Sequence, residues 1–304
     1  MPTLLEMPDI TMLNILEKCS YKSVLTLRKV CHSLRTFIDD SCFKTDLDNI
    51  QIFIFCTSFS VICHSPKLFL TNGNGFGKNW TSSDLKIILK MAQNSKLSYF
   101  SVITNPDNAE GLDDLEDLLK NQTRPLQTTC FRMDGSEILK VLPYLDSKTL
   151  KNIAIVPPDY KTLSRDLVGI EKVMELEQFK NAVELDISYC FLVRADLRKF
   201  FHFQRVRVNL HETSLEERVA LKEAFVTSTH MEFFDLNSRG LNEDQFEQVF
   251  GTPFHDPYRG WQWFFKIKNC KEHVLNIEWN SLSDSMLFEK WKAKEVPQDA
   301  VVQH

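Results

Sequence analysis

Glycine is scarce in this chain, nine residues in 304, while phenylalanine is abundant at 23. So little glycine argues against long flexible linkers and for packed, repeating structure. An excess of positive charge is also missing. The formal net charge is −5, which gives no electrostatic case for direct nucleic-acid binding. The eight cysteines, at 19, 31, 42, 56, 63, 130, 190 and 270, contain no C-x-x-C pair. Many fall at apolar-pattern positions, which reads as reduced core thiols in the cytoplasm or nucleus.

The histidines contain no H-x-x-x-H or H-E-x-x-H pair. Cys63-His64 is a lone doublet, short of the roughly four convergent ligands a metal needs. No metal and no cofactor is therefore expected. There is no G-x-S-x-G elbow, and no cysteine stands out as a reactive thiol. The chain reads as a non-enzyme. The longest apolar stretch, Ile50 to Cys63, is too short and too polar to span a bilayer. The N-terminal segment lacks the charge and apolar run of a signal peptide, so no membrane role is expected. The sequons Asn79-Trp80-Thr81 and Asn121-Gln122-Thr123 then read as coincidence.

One glycine cluster, Asn72-Gly73-Asn74-Gly75-Phe76-Gly77-Lys78, has the look of a phosphate loop. A Walker loop would need Gly at 72 and Ser or Thr at 79, and both are Asn. A dinucleotide loop would need Gly or Ala at 78. It reads as a surface turn. The acidic run Asp107, Glu110, Asp113, Asp114, Glu116 and Asp117 reads as a solvated helix start, favoured by the helix dipole.

What the chain does have begins at its N-terminus. Pro8 suits a first helical turn, and Met12, Ile15, Leu16 and Cys19 follow at helical spacing. Ser20 and Ser23 can cap a second helix. Val24, Leu27, Cys31, Leu34 and Ile38 then recur in steps of three and four, widened by Val30 and Phe37. So short a helical unit is marginal alone. Its excess apolar surface faces either a partner or the rest of the chain.

The segment resembles an F-box, the small helical module that docks proteins into ubiquitin-ligase scaffolds. Met7-Pro8 stands at that family's Leu-Pro position, Ile15-Leu16 at its Ile-Leu pair, Val30-Cys31 at its Val-Cys pair, and Arg35 at its trailing basic residue. Leu34 departs from the Trp many members carry. The resemblance implies a Skp-type adaptor as partner, bridging to a cullin. The implied contact set is Leu5, Met7, Pro8, Ile15, Leu16, Val24, Leu27, Val30 and Cys31.

Beyond it, Ile50 to Cys63 reads as one or two strands, and Leu68-Phe69-Leu70 as another. Thr81 to Asp84 is a capping signal for a helix over 84–94. A pattern apolar-x-x-apolar-x-apolar then recurs as Leu97/Phe100/Val102, Leu126/Thr129/Phe131 (a poorer copy), Leu150/Ile153/Ile155, Ala182/Leu185/Ile187, Phe203/Val206/Val208 and Met231/Phe234/Leu236. Helical stretches at 112–120, 136–145, 170–180, 195–201, 215–225 and 242–250 lie between. Thr213-Ser214 with Glu216-Glu217, and Asn242 with Gln245, resemble capping boxes. Trp263–Lys268 and Val274–Trp279 look like a terminal hairpin.

A strand-plus-helix unit at such spacing is a leucine-rich-repeat signature, although only Asn105 and Cys190 stand at ladder positions. The expected fold is α+β in several parts: an all-α F-box over 1–48, an irregular leucine-rich-repeat-like α/β domain over 49–292, and a flexible tail over 293–304. The alternative is an ordinary α/β domain with a mixed sheet. This larger region resembles the FTH domain of the nematode-expanded F-box A proteins. It does so in the order of its parts and in elements such as Leu150-Lys151-Asn152-Ile153 and Val183-Glu184-Leu185-Asp186-Ile187. The resemblance implies a protein-binding domain.

If the apolar triplets face the core, the residues between them face the other way. That face would carry Tyr99, Ser101, Arg132, Glu184, Asp186, Arg205, Arg207, Phe233 and Asp235. Cross-strand ion pairing and the grip of a protein target are both readings of it, and they are compatible. The function expected is substrate recognition within a Skp–cullin–F-box ubiquitin ligase, with an unknown protein as target. The alternatives are a Skp-binding bridge or translational co-regulator without ubiquitination, and an enzyme holding a nucleotide on the Gly73–Gly77 loop.

Overall fold

A computed structural model describes residues 6–55, 59–64, 81–104, 109–135, 137–157, 165–166, 170–187, 191–239, 243–280 and 285–303. The chain forms two compact units that divide after Lys151.

The first unit opens with three short helices, α1 (Asp9–Lys18), α2 (Tyr21–Leu27) and α3 (His32–Asp40). Then come β1 (Asn49–Ile54), β2 (Phe59–His64), α4 (Ser82–Gln93), β3 (Leu97–Thr104), α5 (Ala109–Lys120) and β4 (Thr128–Asp134). The strands lie in the order β2-β1-β3-β4. β1 and β2 pair antiparallel, as a short connection allows, and β3 runs parallel to both β1 and β4. α4 starts where the sequence predicts it. The Thr81 hydroxyl accepts the Asp84 N–H and the Asp84 carboxylate accepts the Thr81 N–H, each at 3.3 Å.

α5 lies tight on β1, and Gly111 is the reason. A β-carbon there would sit 2.5 Å from Ile54 Cγ2 and 3.1 Å from the Phe55 carbonyl oxygen. The helix expected over 136–145 is instead a pair of 3-10 turns, Ile138–Lys140 and Leu142–Tyr144. Pro143 lacks an N–H and disfavours helix at the residue before it.

The second unit contains β5 (Asn152–Val156), β6 (Arg165–Asp166), α6 (Ile170–Glu175), α7 (Glu177–Asn181), β7 (Glu184–Ile187), β8 (Phe191–Leu192), β9 (Arg205–Glu212), α8 (Leu215–Thr227) and β10 (Phe233–Arg239). It ends with α9 (Glu243–Phe250), β11 (Phe254–Asp256), β12 (Gly260–Lys266), β13 (His273–Asn280), β14 (Ser285–Lys292) and β15 (Val302–Gln303). Its main sheet runs β5-β7-β9-β10-β14-β13-β12-β11, with β15 beside β12 and β6 paired to β8 apart from it. β5, β7, β9 and β10 are mutually parallel, whereas β14, β13, β12 and β11 are antiparallel. Each unit thus carries a mixed sheet with helices, and the whole is α+β.

The apolar triplets fall in register. Ile153, Leu185, Val206 and Phe234 are cross-strand partners and are all buried. In the first unit, however, Leu97, Phe100 and Val102 pair with Thr128, Phe131 and Met133, all buried. The second copy therefore begins two residues later than Leu126. Thr128 fills an apolar slot by turning its hydroxyl onto the Cys130 carbonyl at 2.9 Å, which hides the repeat from a hydropathy reading.

Three further differences have local causes. The helix expected over 170–180 breaks at Leu176, which is extended at φ −70° and ψ 141°. Val173 and Phe179, six residues apart, would leave a continuous helix in different directions; the break lets both be buried. The segment 195–201 is a 3-10 turn, Leu197–Phe200, capped by the Asp196 carboxylate. β14 has no counterpart in the sequence reading, because charged Glu289, Lys290 and Lys292 interrupt its apolar residues.

The predicted hairpin is present as β12 and β13, pairing Trp263 with Ile277. The predicted cap at Ser214 is a full capping box with Glu217. Within the stretch read as a tail, Val302–Gln303 runs parallel to Phe264–Phe265. Leu68–Leu70, the Asn72–Lys78 loop, the Asn79-Trp80 half of its sequon, Asn105, Cys190 and Asn242 lie outside the described residues.

Candidate functional site

The N-terminal helices owe their ends to specific residues. The Pro8 carbonyl accepts the N–H groups of Thr11 and Met12 at 2.9 and 3.1 Å, starting α1. The Ser20 hydroxyl accepts the Ser23 N–H at 3.2 Å and caps α2. The stripe read as continuous from Val24 to Ile38 spans two helices. Lys29 and Val30 close a tight turn onto the Thr26 and Leu27 carbonyls, and Cys31 is extended before α3. Arg28 forks onto Asp39 across that turn, with contacts of 2.7 and 3.0 Å.

Burial sorts the nine implied contact residues. Leu16 and Val24 are fully buried, together with Met12, Tyr21, Leu34 and Ile38, and form the interior of the helical module. Met7, Ile15, Leu27 and Cys31 are half-buried, and Pro8 is exposed. Val30 is 64% exposed. Leu5 lies outside the described residues. Ile10 is 68% exposed and was missing from the set; its position off the Met12/Ile15/Leu16 stripe was the available signal. Of the large hydrophobic side chains exposed among the described residues (Ile10, Val30, Phe55, Tyr258 and Val301), two belong to this module.

The helices are not a loose appendage of their unit. The Tyr21 N–H donates to Asp46 at 2.9 Å and its hydroxyl to the Cys63 carbonyl at 2.7 Å. Thr45 and Ser95 exchange buried hydrogen bonds, their hydroxyls 2.9 Å apart. Burial raises the Tyr21 phenol well above its ordinary value, and the Cys63 thiol and Asp46 carboxylate add to the rise. Burial pushes the Cys63 thiol up to about 12. Both groups stay neutral at physiological pH, so Cys63 has the character of a structural thiol.

The second surface is the sheet face opposite the apolar triplets. In the first unit it is mostly closed. Ser101 is buried, Tyr99 is half-buried, and Arg132 forks onto Asp134 at 2.7 and 3.3 Å. In the second unit the registers lay out two rows. Asn152, Glu184, Arg205, Phe233, Glu289, Asn276 and Phe264 are successive partners across seven strands. Ala154, Asp186, Arg207, Asp235, Leu287, Glu278 and Gln262 form the next row.

Phe233 is the hub of this face. The guanidinium carbons of Arg205 and Arg207 lie 4.8 and 5.1 Å from its ring centroid. The carboxylates around them are held more loosely. Arg207 meets Asp186 at 3.5 Å and Arg205 meets Glu232 at 3.7 Å, longer than a charge-assisted hydrogen bond of roughly 2.8 Å. Glu184 accepts from the Asn152 amide at 2.6 Å. Burial raises the Asp235 carboxyl, against the pull of Arg207 and with the repulsion of Asp186. Neither side-chain polar atom of buried Asn276 has a hydrogen-bond partner among the described residues. The sequence places Glu184, Asp186, Arg205, Arg207, Phe233 and Asp235 together, and the structure brings them together. What it missed lies beside them on β13 and β14.

No cluster of metal-ligating residues occurs among the described residues, and no described helix is long and apolar enough to cross a membrane. Two family models match the chain. The F-box domain matches residues 4–46, covering the three helices, and the FTH domain matches 109–254, from α5 into β11. No curated protein matches it. The F-box match lies within the helical module read over 1–48, and the FTH match covers the middle of the larger region read over 49–292. The chain belongs to the F-box proteins that carry a C-terminal FTH domain.

Proposed function

We propose that this protein is a substrate-recognition subunit of a Skp–cullin–F-box ubiquitin ligase. The F-box domain gives the adaptor role its footing. The observation that carries the reading further is the exposure of Ile10 and Val30 on a module whose own interior is already closed. Exposed Ile10 and Val30, on a module whose Ile15, Leu27 and Cys31 are only half-buried, supply apolar surface that gains by covering. The accessible members of the contact set, Met7, Pro8, Ile15, Leu27, Val30 and Cys31, meet a Skp-type adaptor, with Ile10 added to them. Leu16 and Val24 hold the helices in the shape that presents these residues.

The charged sheet face of the second unit, centred on Arg205, Arg207, Phe233 and Asp235, holds a protein target. Catalysis is then by proximity. A target lysine is kept near a charged ubiquitin-conjugating enzyme at high effective concentration, and this chain does no bond chemistry itself. The test is co-capture of a Skp-type adaptor and a cullin by the tagged full chain, followed by ubiquitin transfer to a captured protein. Recovery of both partners with transfer supports the reading. Recovery of the adaptor without a cullin makes the protein a bridge, and recovery of neither overturns the reading.

A further inference from the structure

At one edge of the charged face, a cavity of about 500 Å³ opens between the end of α8, the β12–β13 turn and β14. That volume lies within the usual range for ligand pockets, roughly 300–1,000 Å³. Its walls carry three cationic side chains, Arg205, Lys268 and Lys290, and two carboxylates, Glu232 and Glu289.

Each carboxylate has a partner within the protein, Glu232 only a loose one. Glu289 accepts the Trp291 indole N–H at 3.1 Å, and Glu232 faces Arg205 at 3.7 Å. The lysines are not matched in the same way. Among the described residues neither makes an ion pair, and Lys290 donates only to the Ser228 and Thr229 carbonyls, both at 3.3 Å. Burial lowers the Lys290 ammonium below its ordinary value, with Glu232 and Cys270 pulling the other way. Arg205 is held in place by the Phe233 ring, and its 3.7 Å contact with Glu232 is long enough to be exchanged for a better one. The wall is therefore preorganised for an anion, in a chain whose net charge of −5 otherwise repels one.

We propose that this cavity is a binding subsite for an acidic segment of a target protein, with a carboxylate side chain seated between Arg205 and Lys268 and facing Lys290. The inference rests on the target-binding half of the function proposed above, and it narrows the target's chemistry. Lys290 also caps the carbonyls that follow α8, so its loss would disturb folding, and Lys268 carries the test.

The test uses the full chain and a fluorescein-labelled hexaglutamate peptide, with hexaglutamine as the neutral control, read by fluorescence anisotropy. The expected result is saturable binding of hexaglutamate only. Lys268→Glu should weaken it at least tenfold and Arg205→Ala severalfold. Lys96→Glu, the same charge change at an exposed site in the other unit, should leave it unchanged. Equal binding of the two peptides, or equal weakening by Lys96→Glu, overturns the proposal.

Cys270 lines the same cavity, whereas Cys42 is exposed elsewhere, which allows a second reading without a peptide. The ratio of alkylation by anionic iodoacetate to that by neutral iodoacetamide should be severalfold higher at Cys270 than at Cys42. It should fall to the Cys42 value in Lys268→Glu, and equal ratios in the wild type contradict an anion-seeking site. Adaptor capture measured on the same preparation separates the two claims. Capture without peptide binding sinks the subsite and leaves the F-box reading standing; peptide binding without capture does the reverse.

Discussion

The N-terminal helices and the charged sheet face are both surfaces, but they are built on opposite principles. The helices close a small apolar interior around Leu16, Val24, Leu34 and Ile38 and still leave Ile10 and Val30 in water. The sheet face of the second unit is mostly polar and satisfies much of its charge internally, through Phe233 and the loose pairs Arg207–Asp186 and Arg205–Glu232. An uncovered apolar surface points to a partner, because water gains by its removal. A half-exposed ion pair contributes little in isolation. Its meaning comes from which of its charges remain unmatched.

The comparison is sharpest within the helices themselves. Leu16→Ala removes a fully buried side chain and is expected to cost about 2–5 kcal/mol, which in so small a module appears as lost helicity together with lost adaptor capture. Val30→Asp changes a side chain that is 64% exposed. It should shift stability by no more than about 0.5 kcal/mol and still abolish capture. Denaturant unfolding beside pull-down separates the two. If Val30→Asp unfolds the module, the division into interior and contact surface is wrong.

On the sheet face, Asn276→Leu removes a buried amide with no partner among the described residues. It is expected to stabilise the chain by about 1–2 kcal/mol in urea unfolding. A loss of stability would mean that the amide is satisfied in solution. Phe233→Ala removes both guanidinium contacts. It should cost about 1–2 kcal/mol and weaken target binding without touching adaptor capture. Equal losses of both activities would break the assignment of the two surfaces to two partners.

The smallest effect concerns pH. Burial raises the folded-state pKa of Asp235, so the folded chain holds a proton that the unfolded chain releases earlier. Stability therefore falls as pH rises from the ordinary carboxylate range through the raised value. Asp235→Asn removes that dependence. It should be more stable than the wild type at neutral pH, with the gap closing as the solution is acidified towards the ordinary carboxylate value. A constant gap across that window would place the effect elsewhere.

Much of this was legible because burial in regular elements leaves a period. The helix caps at Ser20, Thr81 and Ser214 and the triplets of β7, β9 and β10 are local patterns, and each folds as its sequence reads. The same alternation placed Arg205, Arg207, Phe233 and Asp235 on one face. Where side-chain chemistry substitutes for hydropathy, the pattern fails. Thr128 occupies a core slot behind an internal hydrogen bond, and Pro143 breaks a helix that its neighbours favour. Lys268 and Lys290 come together from a turn and from a strand crowded with charge, so no local spacing announces their cavity. The interior role of Leu16 and Val24 was hidden for a different reason, since a stripe of apolar residues does not say which of them its own fold will cover.

The measurement that bears most directly on the account is the affinity of a Skp-type adaptor for the full chain and for its Ile10→Asp, Val30→Asp variant, with circular dichroism and denaturant unfolding on the same samples. The account predicts tight binding by the wild type and a loss of at least 100-fold, or about 2.7 kcal/mol, in a variant that folds as the wild type does. Undiminished binding by the folded variant, or no binding by the folded wild type, would contradict it.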